Sequence, residues 1–389
     1  MSEKSSALEQ AELAAPEDGR APLNSYLRRP RAVQARNWRF TERWIRGLGA
    51  KCSAAERGGD GAARHPYLGN GRPEPACVFR ALRCSVGGIR IMKRIIFIAL
   101  FGFIICASPC VRSETKGEFK RSEDVIYGRK SGTALTLDIF QPEKTNGYGI
   151  LFMVSGGWFS AHEAVNSNFY KAFLDRGYTV FAVVHGSQPK FTITEIVPDI
   201  HRAVRFVRHN AAKYGIDPSR IGISGASAGG HLSLTMGTQG RTGKDDAKDP
   251  IDRENSAVQA VACFFPPTDF LNYGKPGEDA VGVGILKDYK AAFGPRSDTA
   301  DERQQLGKEI SPVYFITSNM PPTLIIHGDA DKLVPIQQAE SFVSRAREAG
   351  ATAKLVVKEG KAHGWGKIEE DIALLADWFD QYLRGITPQ

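Results

Sequence analysis

Cysteine is scarce in most of this chain. Of its six cysteines, Cys52, Cys77, Cys84, Cys106 and Cys110 lie in the first 110 residues, and Cys263 stands alone in the rest. Cys263 falls in the apolar stretch Val258 to Phe265, where a thiol acts as a small hydrophobe. A disulfide framework is therefore excluded, and no Cys/His spacing offers a zinc site. The longest apolar run, Ile95 to Ala107, has thirteen residues, short of the about 20 that span a bilayer. Internal repeats and low-complexity linkers are lacking beyond Glu114, which excludes solenoids and propellers. Charge of one sign is also lacking there. The formal net charge is +8, but the first 91 residues hold 16 Lys and Arg against 9 Asp and Glu, and the remainder 35 against 34. The body has no basic excess to suggest a nucleic-acid partner.

The start of the chain reads separately. Residues 1–91 are rich in Arg, Ala, Gly and Pro and show neither helical nor strand periodicity, as expected of a low-order extension. Met92-Lys93-Arg94, the apolar run Ile95–Ala107 and Ser108-Pro109-Cys110 then have the order of a secretory signal peptide. The expectation is a translation start at Met92, a signal or N-terminal anchor over 92–113, and an exported protein, periplasmic or extracellular. The alternative is anchorage in the membrane by residues 92–107, and no stable span is expected in the mature form.

Residues 114–389 are expected to form one α/β domain. Short apolar runs at Ala134–Phe140, Ile150–Val154, Tyr178–Val184, Arg220–Ser224, Ala257–Phe264, Thr323–His327 and Ala353–Val357 suit strands buried on both faces. An edge strand near Asp124–Gly128 precedes them. Helical stripes alternate with the strands. One starts at Pro198 and stops at Gly215; another runs from Pro335 to before Gly350; the last buries Ile372, Leu375, Phe379 and Leu383. This alternation predicts a mostly parallel sheet with helices on both faces and a ligand site beyond the carboxyl ends of the strands. The polar, Gly/Pro-rich stretches 237–258 and 269–312 are expected to be loops or a small polar cap. Asp245, Asp246, Asp249 and Asp252 lack a calcium-loop pattern and read as a solvated acidic loop.

Three separated motifs carry the chemistry. Gly225-Ala226-Ser227-Ala228-Gly229 is a G-x-S-x-G pentapeptide between an expected strand and an expected helix, the context of a nucleophile elbow. Asp331 follows the strand Thr323–His327, and His363 follows the last strand. Ser227 would be the nucleophile, His363 the general base and Asp331 the group that orients it. Asp329 competes with Asp331 but suits a turn brace. His162, His185, His201, His209, His231 and His327 fit the base less well; His231 is expected to pack or hydrogen-bond beneath the elbow. An oxyanion hole needs backbone N–H groups aimed at developing charge, and Ala228, Gly156 and Gly157 are the expected donors. Trp158 and His185 are expected to touch substrate, with Trp158 and Phe159 able to stack on a ring or to form pocket wall. No metal or cofactor is implied.

These motifs, in the order Ser, Asp, His, resemble the α/β-hydrolase superfamily over roughly residues 120–385. The likeness is to secreted carboxylesterases of the branch that includes hormone-sensitive-lipase-like and feruloyl/acetyl-xylan esterase-like enzymes. Tyr214-Gly215-Ile216-Asp217-Pro218 and Val334-Pro335 share in it. Val154-Ser155-Gly156-Gly157-Trp158 departs from that branch's His-Gly-Gly-Gly-Trp loop, which puts the acyl pocket in question. The resemblance implies an α/β-hydrolase fold and a serine carboxylesterase for short acyl groups, with acetyl or feruloyl esters of polysaccharide as substrates. A serine peptidase of the prolyl oligopeptidase type and a non-catalytic binding protein on the same fold stay open as alternatives.

Overall fold

The computed structural model describes residues 119–386. The basic extension, the signal segment and the first residues of the expected domain lie outside the described residues. Eight strands form one sheet: β1 (Phe119–Lys130), β2 (Thr133–Pro142), β3 (Gly149–Met153), β4 (Thr179–Val184), β5 (Ile221–Ala226), β6 (Ala260–Phe264), β7 (Thr323–Gly328) and β8 (Ala353–Lys358). Their order is β1-β2-β4-β3-β5-β6-β7-β8. β2 runs antiparallel to both its neighbours, and β4, β3, β5, β6, β7 and β8 run parallel. This is the α/β-hydrolase fold. Every expected strand is present, and the β1 edge extends well beyond Asp124–Gly128.

The pleat divides the core. On β3, Leu151 and Met153 face one side while Ile150 and Phe152 face the other, all buried. Helices α1 (Ile193–His209), α2 (Ala228–Gln239), α3 (Ala300–Ile310) and α4 (Gln337–Glu348) cover the first face. Helix α5 (Ile368–Phe379) and the segment Ser167–Leu174 cover the second. Among the described residues, no helix is long and apolar enough to cross a membrane.

Two expectations need correction. Pro198 lies inside α1 rather than in its first turn, because a capping box of Thr192 and Glu195 starts the helix earlier. The helix ends at His209, and Gly215, in the left-handed conformation, closes the next short helix, Ala211–Tyr214. The stretch 269–312 is not a polar loop: it carries Gly284–Tyr289, Lys290–Phe293 and α3, and buries Phe270, Tyr273, Val281, Leu286, Phe293 and Leu306 in the core. In the acidic loop, Asp245 and Asp246 are exposed, whereas Asp249 and Asp252 grip Arg202 at 2.6 and 2.8 Å.

Candidate active site

β5 leads straight into α2, and Ser227 sits at the junction with φ 55° and ψ −120°. A side chain with Cβ rarely adopts such a backbone, so the surroundings must hold it. The Ser227 N–H donates to the Phe264 carbonyl at 3.0 Å, and the Ser227 carbonyl accepts from His231 N–H at 2.9 Å. The crossing is so close that a Cβ on Gly229 would lie 2.6 Å from the Met153 carbonyl oxygen. Small residues after the serine are therefore a steric requirement.

β7 and β8, two and three strands further along the sheet, bring Asp331 and His363 to the same edge. Nε2 of His363 is 2.9 Å from Ser227 Oγ, and Nδ1 is 2.7 Å from Asp331 Oδ2. An ionised carboxylate only accepts, so Nδ1 carries the proton and Nε2 of the neutral ring is left to accept from the serine hydroxyl. The other Asp331 oxygen accepts from the Leu333 and Val334 amides, each at 2.9 Å. His327 Nε2–H, donated to the Val334 carbonyl at 2.8 Å, also lies 3.3 Å from Asp331 Oδ2. Burial works to raise the Asp331 pKa, but hydrogen bonds from His327 and His363 outweigh it and hold the carboxyl well below the usual range. Asp329 instead accepts from Gly360 N–H at 2.6 Å and ties the loop after β7 to the turn after β8.

Two supports escaped the sequence reading. His327 stands four residues before Asp331 and braces it. The Phe265 ring lies 4.6 Å from the His363 ring, centre to centre, and forms its wall. His231 is where it was expected, fully buried beneath the elbow. Its Nδ1 accepts from the Trp158 indole at 3.1 Å and its Nε2–H donates to the Ile310 carbonyl at 2.7 Å. Burial lowers its pKa to about 4.

The oxyanion assignment changes in part. β3 neighbours β5, with Met153 opposite Gly225, so the loop after β3 flanks the elbow. There Gly156 N–H is already donated to the Phe159 carbonyl at 2.9 Å, and Phe159 N–H returns a bond to Gly156 at 3.0 Å. A donor spent on closing this miniature hairpin cannot serve an oxyanion, which removes Gly156 from the set. Among the described residues, the N–H groups of Gly157, Trp158 and Ala228 donate to no acceptor. Gly157 and Trp158 have φ of 55° and 60°, so the loop bends sharply at two consecutive residues.

The side chains of Trp158 and His185 do not line a substrate surface. The Trp158 side chain is 2% exposed and packs on His231, Phe270, Tyr289 and Phe293. The indole needed a partner for its N–H and found it inward. His185 is buried just past β4, its Nδ1 2.6 Å from the Gly186 carbonyl, and burial lowers its pKa to about 4. Phe159, by contrast, is 41% exposed at the tip of the loop. The Tyr289 ring closes over Gly157, where a Cβ would meet it at 2.4 Å. Among the described residues, Glu123, Asp138 and His162 are close enough to share a metal ion, but Arg121 already holds both carboxylates, at 2.9 and 3.0 Å.

The BD-FAE family model matches residues 137–345. The chain is 30% identical over 237 residues to a probable carboxylic ester hydrolase, LipM, of Mycobacterium tuberculosis, covering 59% of this chain and 53% of that protein. It spans between half and three-fifths of the length of LipM, LipQ and LipC of that organism. Among solved structures, a truncated carbohydrate esterase from gut microbiota superposes with a TM-score of 0.59 at 29% identity, covering 68% of this chain and 96% of that one. Esterase 2 of Thermogutta terrifontis with propionate bound superposes with a TM-score of 0.54 at 26% identity, covering 69% and 96%. The same esterase has also been solved phosphonylated by sarin.

Proposed function

The chain belongs to the BD-FAE family, and from that premise we propose that it is a serine carboxylesterase that hydrolyses short-chain carboxylic esters through an acyl-enzyme. The reading is carried by one observation: Ser227, His363 and Asp331 form a continuous relay, 2.9 and 2.7 Å per link. His363 Nε2 takes the hydroxyl proton as Ser227 Oγ bonds to the ester carbonyl carbon, and Asp331 stabilises the imidazolium so formed. The oxygen of the tetrahedral intermediate faces the free N–H groups of Ala228, Gly157 and Trp158. As the intermediate collapses, His363 returns the proton to the leaving alkoxide and the acyl group stays on Ser227. Water then bonds through its oxygen to the acyl carbon as His363 takes its proton; the bond from that carbon to Ser227 Oγ breaks, the imidazolium returns the proton to Oγ, and the acid leaves.

Short acyl groups are favoured because Trp158, Phe270, Tyr289 and Phe293 fill the space beneath the loop. The propionate in the Thermogutta esterase supports the same size. The gut carbohydrate esterase supports an ester of a carbohydrate as the natural substrate, and our reading of it is an acetylated or feruloylated polysaccharide. The Met92–Ala107 pattern supports export as the setting.

The test is hydrolysis of p-nitrophenyl esters from acetate to palmitate by the full chain, beside Ser227→Ala. The expected result is a rate highest on acetate to butyrate and absent in the variant, with acetate released from acetylated xylan. A folded protein with no Ser227-dependent rate on any ester would overturn the reading.

A further inference from the structure

We propose that Gln188 is the positioning residue of the oxyanion hole: it holds the Gly157–Trp158 peptide in the one orientation that presents the Trp158 N–H to substrate. The inference rests on the esterase reading for its catalytic meaning, but its structural content stands apart from it.

β3 and β4 run parallel with Met153 opposite Val183, so the segments that follow them lie side by side. A ladder of polar contacts joins them. Val154 N–H donates to the Val183 carbonyl at 3.1 Å, His185 N–H to Ser160 Oγ at 3.2 Å, and Ser160 N–H to Ser187 Oγ at 3.0 Å. Gln188 closes the ladder with two bonds. Its backbone N–H donates to the Trp158 carbonyl at 3.2 Å and its side-chain Nε2 to the Gly157 carbonyl at 2.8 Å. Gln188 therefore fixes the carbonyls on both sides of the Trp158 α-carbon.

A trans peptide is planar, with its C=O and N–H pointing in opposite directions. Once Gln188 holds the Gly157 carbonyl, the Trp158 N–H must point away from Gln188, and it meets no protein acceptor there. That orientation is not the one the local chain prefers. Trp158 has φ of 60°, which a bulky residue adopts only under constraint. Flipping the Gly157–Trp158 peptide would rotate Gly157 ψ and Trp158 φ by roughly half a turn each and return Trp158 to a negative φ, as in the change from a type I′ to a type II′ turn. It would also turn the N–H out of the hole. The Trp158 side chain does not prevent this, because its anchor on His231 fixes the ring and leaves the preceding peptide free to rotate. The Gln188 side-chain donor is the contact that a flip would break.

The experiment compares Gln188→Glu and Gln188→Met with wild type in the full chain. Both keep the length of the side chain, and neither offers an amide donor at neutral pH. Steady-state kinetics on p-nitrophenyl acetate are read as a kcat and KM split, beside melting temperatures and crystal structures of wild type and Gln188→Met. Loss of a whole oxyanion donor costs about 10²- to 10³-fold in kcat. A peptide released to flip should cost about tenfold or more, with KM and melting temperature little changed and the Gly157 carbonyl reoriented in the variant crystal. An unmoved Gly157 carbonyl, or kcat within twofold of wild type in both variants, would overturn the proposal. So would a loss in Gln188→Glu alone, which would mark introduced charge rather than a missing donor. If wild type itself shows no Ser227-dependent rate, the esterase reading fails, and the position of the Gly157 carbonyl in the two crystals still decides what Gln188 holds.

Discussion

The indole N–H of Trp158 donates to Nδ1 of His231 at 3.1 Å. This bond joins the loop after β3 to α2 one turn beyond Ser227, so the Trp158 ring is tied to the helix that carries the nucleophile. His231 is saturated: Nδ1 accepts from Trp158 and Nε2–H reaches the Ile310 carbonyl. The neutral ring is the only form that can do both.

His231→Ala should therefore be costly twice over. It opens a cavity in a close-packed layer, and it leaves a buried indole donor and a buried carbonyl without partners. A loss of about 3–5 kcal/mol is expected in urea denaturation. His231→Gln, which can supply both an acceptor and a donor, should lose clearly less. Equal losses would mean that the two hydrogen bonds contribute nothing beyond volume.

The two neighbouring aspartates make a sharper comparison. Asp331 receives His363 and two backbone amides, whereas Asp329 receives Gly360 N–H. Asp331→Asn should lower kcat by about 10⁴-fold by presenting the wrong partner to Nδ1–H. Asp329→Asn should leave kcat within a few-fold and cost about 1 kcal/mol of stability through the Gly360 turn. Ester hydrolysis and denaturation of both variants decide this; comparable kcat losses would remove the distinction between orienting acid and turn brace.

Much of this site was legible because its motifs are local. A serine elbow needs small residues beside it, and an acid and a base placed after strand ends need only the strand order. The errors lie where the answer depended on partners distant in sequence. Two adjacent glycines do not reveal which amide turns back to close a hairpin, and Gly156 is the one that Phe159 consumes. Trp158 looked like substrate wall because nothing near it in sequence announces His231 as its acceptor. The stretch 269–312 hid its burial for another reason. Phe270, Val281, Leu286 and Phe293 follow no single period, since the first two lie in irregular chain, Leu286 in a 3₁₀ segment and Phe293 at the end of a short helix. Pro198 misled because the capping box that starts α1 lies upstream of it.

Three buried histidines should make the fold acid-sensitive. Burial lowers the pKa of His185 and His231 to about 4 and that of His201 to about 3. In the unfolded chain each titrates near about 6.5. Below that value the unfolded state binds protons that the folded state refuses, so stability is full above about pH 6.5 and falls as pH drops toward 4. Each ring contributes a slope on the order of 1 kcal/mol per pH unit in that window. Urea midpoints from pH 7.5 to 4.5 should fall accordingly. His201→Gln, which keeps a side-chain partner for Ser256, should flatten the slope by roughly a third. A midpoint flat across this range would contradict the neutral burial of all three rings.

Phe159 and Trp158 stand side by side in sequence with opposite fates, and this separates substrate contact from scaffold. Trp158 is 2% exposed and Phe159 41%. Truncating Trp158 to Ala should cost about 3–5 kcal/mol of stability, and activity should fall with the loop it supports. Truncating Phe159 should cost under about 1 kcal/mol, as for exposed side chains in general. If its ring stacks on the substrate's alcohol portion, Phe159→Ala should raise KM several-fold on aryl esters and on acetylated xylan, with kcat nearly unchanged, because such a contact binds ground state and transition state alike. Methyl acetate, with nothing to stack, should be hydrolysed as well as by wild type. A KM unchanged on every substrate would place Phe159 outside the path of the ester and leave the alcohol side of the site to be found elsewhere along the rim.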